Sequence, residues 1–386
     1  MLGSIALILA FGSMVSKMLA ESGGAERIAS TIVSWCGERN VHWAMLLIAC
    51  LVGVPVFFQV GFVLLAPIVF LIAKETKTPL MVVAVPMLAG LSVMHGLVPP
   101  HPGPMAAIGV LKADVGKTIL YALVIGIPTA IVTGPLLAFR LARGLPVAPS
   151  GQVAAQFIER PARVRALPGF GITVFTVLLP VLLMLVATAL DVIAPASPAR
   201  PAIDFIGDPI VAMLIAAMFS FYSLGFARGF NRAEILKFSE DCLAPLATTL
   251  LIIGAGGGFS RVLSASGVGE SVAALASDAR VPPLVLGWLI AALIRIALGS
   301  ATVSITTAAG ILAPMVASTP GVNLELLVVA MGAGSLILSH VNDAGFWLVK
   351  EYLNLSVAGT LRTWSVVETA ISVVALGLIL LLNLIV

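Results

Sequence analysis

The apolar positions of this chain gather in long runs rather than in the short alternations of a soluble helix or strand. A helix crosses the hydrocarbon core of a bilayer in about 20 apolar residues. Runs of that size occupy 118–139, 170–193, 209–226 and 366–386, and each predicts one crossing helix. Other runs have the wrong length. The stretch 41–73 is too long for one crossing and holds Gly53, Pro55 and Gly61 at its middle, while 283–317 is interrupted by Gly299, Ser300 and Thr302. Runs 79–94 and 324–339 are short, and each ends in a polar or proline-rich knot. These predict broken or re-entrant helices, whose freed backbone is tolerated only where protein or a water-filled cavity satisfies it. The expected fold class is an all-α polytopic membrane protein.

The two ends of the chain repeat one another. Gly12 through Glu26 (GSMVSKMLAESGGAE) aligns with Gly256 through Glu270 (GGGFSRVLSASGVGE). Leu65-Ala66-Pro67 then matches Leu312-Ala313-Pro314, and Val82-Val83-Ala84 matches Val328-Val329-Ala330. Each half goes on to a histidine, His95 or His340, at a nearly constant offset. Lys and Arg in short loops set the orientation. The 140–169 linker carries Arg140, Arg143, Arg160, Arg163 and Arg165, and 227–243 carries Arg228, Arg232 and Lys237, so both are expected on the cytoplasmic side. The intervening 194–208, with Arg200 beside Asp204 and Asp208, is then external. Span 118–139 runs inward and 366–386 outward, which makes the repeats inverted: 1–139 and 244–386, with a cytoplasmic linker at 140–169 and connecting spans plus an amphipathic helix within 170–243. Paired discontinuous segments in inverted repeats point to a secondary transporter with its site near the midplane. A duplicated scaffold or a channel is the alternative. A membrane enzyme would need a nucleophile–base or metal constellation, and no such spacing is present.

Composition sharpens this picture. The chain is 60% hydrophobic and 10% charged, against about 45–50% and about 25% in soluble domains. A net charge of +3 and the lack of a basic stripe argue against a nucleic-acid binder. Cys36, Cys50 and Cys242 cannot form a full disulfide set and are expected as buried small hydrophobes. No metal spacing or phosphate-cradling glycine loop is present, so neither a metal nor a cofactor is expected. The start runs straight into apolar sequence without a basic region, which argues against a secretory signal peptide.

Four strings resemble signatures of the gluconate permease (GntP) family: HGLVPPHPGP (95–104), IIGAGGGFSRVLSASGVG (252–269), ALGSATV (297–303) and SHVNDAGFWLVKEYLNL (339–355). With the intervening spans, the resemblance covers essentially the whole chain. It implies a bacterial inner-membrane symporter that uses protons to import gluconate or a related small hydroxy or amino acid. It also implies the ion-transporter superfamily architecture, with two re-entrant hairpins and a homodimer moving in an elevator manner. Two departures stand out. Family members carry additional hydrophobic sequence before the position matching Met1, so the chain is expected to be short at its N-terminus. Many relatives also carry an acid where this chain has Gln59, which cannot exchange a proton. Coupling must then use another group or another ion, with Na⁺ as the alternative.

The polar residues at the breaks are the candidate site. His95 and His101 bracket Pro99-Pro100, and each reads either as a substrate or proton group or as a partner for freed carbonyls. Gly103 lies in the same string. Arg295 is the only charge in 283–298 and reads as a clamp for a substrate carboxylate or as a permanent ion pair to Asp343. Gly299, Ser300 and Thr302 let a polyol approach the backbone ahead of a half-helix N-terminus. His340, Asn342 and Asp343 form the matching break, where Asp343 is the first choice for the coupling proton, with His340 and His101 beside it, or else a cap for the helix at Ala344. Glu368 sits in the last apolar run, and the resemblance gives it no role. The reading is proton symport of gluconate or a close sugar acid. The alternatives are another small carboxylate such as a D-amino acid, with Na⁺ coupling open, and a membrane sensor or scaffold that does not transport.

Overall fold

The structure, a computed structural model, describes residues 2–142, 165–267 and 281–386. Most of the expected 140–169 linker, including Arg143, Arg160 and Arg163, lies outside the described residues, as does Glu270 of the repeated segment. The described residues form helices and no strands. Six helical runs among them are long and apolar enough to cross a membrane, or up to eight if each of two bent pairs counts as one crossing.

In chain order the helices are α1 (Leu2–Glu21), α2 (Gly24–Cys36), α3 (Val41–Gly53), α4 (Phe58–Glu75), α5 (Leu80–Leu97), α6 (Pro102–Leu111) and α7 (Val115–Leu141). Then come α8 (Phe170–Ile193), α9 (Arg200–Gly207), α10 (Pro209–Arg228) and α11 (Arg232–Leu243). The last set is α12 (Leu246–Ala265), α13 (Pro283–Leu298), α14 (Ala301–Ser318), α15 (Leu324–Gly334), α16 (Ala344–Tyr352) and α17 (Val357–Leu382). The interruptions fall where glycine and proline sit. Helix α3 stops at Gly53 ahead of Pro55, and α5 stops before the Pro99-Pro100 pair. Neither proline offers a backbone donor, so a helix cannot continue through them without losing bonds. Helix α13 ends where Gly299 adopts φ +73°, a conformation that favours glycine. In the repeated Ser-Gly pair, Gly23 and Gly267 likewise take φ +79° and +75° as α1 and α12 end.

Helices α5 and α15 form the centre. Every residue of α5 except His95 is buried, and Leu326–Gly334 of α15 are all buried. A helix apolar all round suits either lipid or a protein core, and the burial of α5 and α15 within the protein makes them the latter. The two run so close that a Cβ on Gly332 would lie 2.5 Å from the Gly96 carbonyl oxygen. Helix α6 lies along α14, and α7 contacts α15 and α17, so the beginning and end of the chain interlock around the breaks.

The surface helix α11 is held by a reciprocal cap. Asn231 accepts from the Glu234 N–H at 2.9 Å, and Glu234 accepts from the Asn231 N–H at 2.8 Å. Arg165 donates to Glu234 at 2.9 Å and lies over the Phe230 ring. The Asn231 N–H, and after it Arg165, hold the Glu234 carboxyl below its ordinary range. This stabilisation is present at neutral pH and is lost as pH falls through the lowered value. The arrangement places the starts of α8 and α11, two of the basic segments, at one end of the molecule. Asn231→Ala should remove the cap and cost about 1 kcal/mol, read as a lower unfolding temperature in detergent. An unchanged transition would show that the cap contributes nothing.

Candidate functional site

The four interruptions are bonded to each other in pairs. At the first pair, His101 is the N-cap residue of α6, and its Nε2 lies 2.7 Å from the carbonyl oxygen of Gly53, the last residue of α3. At the second pair the helix after the break again reaches back. His340 Nε2 lies 3.0 Å from the Ile296 carbonyl, and the Asn342 side-chain amide donates to the same carbonyl at 2.9 Å and to Ala297 at 3.3 Å. Carbonyls left open at the C-terminus of α13 are thereby satisfied by the other break. This is what a discontinuous helix requires at membrane depth.

Arg295 and Asp343 sit where these segments meet. The Arg295 guanidinium donates at 2.5 Å to the Gly299 carbonyl and at 2.5 Å to Asp343 Oδ2. Asp343 caps α16 by accepting from the Gly345 N–H at 2.9 Å, and it also accepts from the Ser339 hydroxyl. Ser339 in turn accepts from Trp364 Nε1 at 2.7 Å. Trp364 belongs to a π-turn at Leu361–Ser365 within α17 and stacks on Phe58, with ring centroids 5.0 Å apart. Both arrangements weighed for Arg295 and Asp343 as structural groups, the ion pair and the cap, are therefore present. The Arg295 Nε, although buried, has no hydrogen-bond partner among the described residues, and the same is true of His95 Nδ1.

A cavity of about 290 Å³ opens between these segments. Its polar wall is made by Arg295, Asp343 and Asn342, by Gly299, Ser300 and Thr302, and by Gln59 and His95. Phe58, Trp364, Leu298 and Leu336 supply the apolar wall. The first turns of α14 and α16 border it, and helix N-termini favour an anion. One guanidinium with a free donor, two helix N-termini and several hydroxyl and amide groups suit a small anion that carries hydroxyls.

Eight of the eleven residues expected at the site thus line one cavity. The other three do not. His101 is buried against the α3 terminus, and Gly103 is spent on close packing, since a Cβ there would meet Ile305 at 2.8 Å. His340 caps Ile296 beside the cavity without lining it. Residues not expected there are Ser92, Trp364, Phe58 and Glu368. The Glu368 carboxylate is 1% exposed and accepts a hydrogen bond from the Ser92 hydroxyl. Its signal was the one that flagged Arg295, a lone charge in an apolar run. The cysteines, expected in the interior, are free and half-buried. Among the described residues no group of three or more His, Cys, Asp or Glu could hold a metal ion.

Comparison with known proteins settles the family. The GntP family permease model matches residues 1–385. The chain belongs to the GntP permease family. It is 52% identical over 385 residues to a gluconate permease of Pseudomonas aeruginosa, a match covering all of this chain and 85% of that protein. It is 46% identical over 388 residues to a high-affinity gluconate transporter of Escherichia coli, covering all of this chain and 87% of that one. It is also 42% identical to the Gnt-II system L-idonate transporter of Escherichia coli, covering 99% and 86%. The fold is shared more distantly with two solved transporters. These are YdaH of Alcanivorax borkumensis (TM-score 0.65, 17% identity, 97% of this chain and 84% of that one) and Neisseria gonorrhoeae MtrF (TM-score 0.68, 14% identity, 98% and 80%). This GntP permease is accordingly a multi-pass membrane transporter and not an enzyme.

Proposed function

We propose that this permease imports gluconate, or a closely related sugar acid, across the bacterial inner membrane by proton symport. The cavity between the paired breaks carries the reading, because it offers a guanidinium to a carboxylate and hydroxyl-bonding groups to a polyol. In this reading the substrate carboxylate takes the free Nε–H of Arg295 and the N-terminal turn of α14. Ser300, Thr302, Asn342 and Gln59 bond its hydroxyls, while Phe58 and Trp364 exclude water from one face. Asp343 holds the guanidinium through a terminal nitrogen, so Arg295 is fixed before the substrate arrives.

The wider architecture is part of the proposal. The order α3–α7 recurs as α13–α17, and His101 and Asp343 occupy the same capping position in the two series. That correspondence supports inverted repeats over 1–139 and 244–386, with the broken segments re-entrant, as in the ion-transporter superfamily. The starts of α8 and α11 would then face the cytoplasm, and a homodimer moving in an elevator manner would carry the cavity between the two sides.

The test is uptake of labelled gluconate by proteoliposomes holding the purified chain, with the outside acidified. Gluconate should accumulate above its external concentration, and a protonophore should abolish the accumulation. The absence of gluconate-dependent flux under any imposed gradient would overturn the substrate assignment. Because one relative is named for L-idonate, unlabelled L-idonate belongs in the same assay. Stronger competition by idonate than by gluconate would move the assignment to that acid.

A further inference from the structure

The proposed symport leaves open which group takes the proton. Gln59 has no proton to exchange. Asp343 is engaged on both oxygens, by the Gly345 N–H on one and by Arg295 and Ser339 on the other. A proton arriving on either oxygen would have to displace one of these donors. His101 and His340 spend their Nε2 on carbonyls and do not line the cavity.

Glu368 differs from all of these. It lines the cavity, its side chain is buried, and no ion pair engages it among the described residues. Among the described residues it accepts a hydrogen bond from the Ser92 hydroxyl, from α5, in the opposite half of the chain. The titratable groups that share the cavity are His95 from α5, Arg295 from α13 and Asp343 at the start of α16. Lys117, Tyr121 and Arg140 on the adjoining α7, Arg362 on α17 itself and Glu325 on α15 do not line it.

We propose that Glu368 is the proton carrier, loading its proton in the same cavity and the same step as the substrate anion. Charge balance gives the reason. When Glu368 is ionised, the empty cavity holds one guanidinium and two carboxylates, and a sugar acid adds a third anion in a confined site. Repulsion of that kind costs far more there than in water. A proton on Glu368 restores the charge of the empty site, whereas a proton on His95 would set a second cation beside Arg295. One O–H bond forms on Glu368 when the cavity faces outward, and it breaks when the cavity faces inward, so the carboxyl returns unchanged. Ser92 is the positioning residue that keeps the carboxyl at the wall.

The inference rests on the proton-symport reading, and the experiment separates the two. Gluconate is added to the purified full chain in weakly buffered detergent solution with a pH indicator, and pH-driven accumulation is followed in proteoliposomes. The unaltered protein should take up a proton for each gluconate bound. Glu368→Gln should take up none, and its accumulation should fall to the equilibrium level while counterflow of gluconate remains measurable. Should the unaltered protein itself bind gluconate without a proton, the symport reading falls and Glu368 falls with it. Should Glu368→Gln take up a proton and accumulate gluconate as the unaltered protein does, symport stands and Glu368 is excluded. Ser92→Ala decides the matter if Glu368→Gln does not fold. Loss of one hydrogen bond to the carboxyl should move the midpoint of the pH–uptake profile by about 0.5–1 pH unit, and an unmoved midpoint counts against Glu368.

Discussion

Arg295→Gln is expected to raise the KM for gluconate by roughly 10- to 150-fold and to destabilise the protein at the same time. The first effect follows from losing a charged hydrogen bond to the substrate carboxylate, about 1.5–3 kcal/mol. The second follows from the partner left behind. Asp343 is 8% exposed and would be buried without its cation, a situation that costs about 3–5 kcal/mol. The Gly345 N–H and the Ser339 hydroxyl still serve Asp343, which puts the loss at the lower end. Adding Asp343→Asn removes the uncompensated charge, so the double variant should recover most of the unfolding temperature in detergent but not the KM. That split distinguishes the two roles of one guanidinium. A KM near that of the unaltered protein in Arg295→Gln would exclude contact with the carboxylate. A double variant no more stable than Arg295→Gln would show that the pair with Asp343 is not what holds this region.

The positions of the breaks were legible in the sequence because bilayer thickness sets a length that an apolar run either meets or misses. Gly53 with Pro55, Pro99 with Pro100, and Gly299 each interrupt a run at a place where backbone chemistry must change, and α3, α5 and α13 end there. Arg295 was legible as a charge with no polar neighbour in its run. What a pattern of apolar positions does not carry is which break bonds to which. The contacts from His101 to Gly53 and from Asn342 to Ile296 join segments that no helical period relates. For the same reason His101, Gly103 and His340 could not be told apart from the residues that face the cavity. Glu368 was legible as a charge within the last apolar run, but it was given no role there. That run begins at 366, whereas α17 begins at Val357 and includes the π-turn at Leu361–Ser365. The polar residues Arg362, Thr363 and Ser365 hide this extension from a hydropathy reading. The π-turn contributes Trp364 to the cavity wall and leaves Glu368 well inside the helix, on the face that meets Ser92.

Gly299→Ala should be among the most damaging single-methyl changes in the chain, although it adds no charge and removes no side chain. The added Cβ would lie 2.3 Å from the Asn342 carbonyl oxygen and 2.7 Å from its Oδ1, and φ is +73°. The first contact is with backbone, so no rotamer change relieves it. Either the 340–343 segment moves away or the end of α13 unwinds. In both cases the bonds from His340 and Asn342 to Ile296 are lost, and the bond from Arg295 to the Gly299 carbonyl is lost with them. Each net hydrogen bond contributes about 0.5–1.5 kcal/mol, and the left-handed backbone adds about 1–2 kcal/mol for a residue with a Cβ. The expected loss is therefore about 3–6 kcal/mol, together with loss of uptake, because the same atoms form the cavity wall. Gly109→Ala is the control. It lies inside α6 with nothing within 4 Å of the added methyl and no positive φ, so it should be neutral or stabilising by up to about 1 kcal/mol. Thermal unfolding of both variants in detergent gives the answer. If Gly299→Ala unfolds no earlier than Gly109→Ala, the two breaks do not depend on each other's backbone. The arrangement that places Arg295 and Asp343 against a substrate would then have to be held by side chains alone.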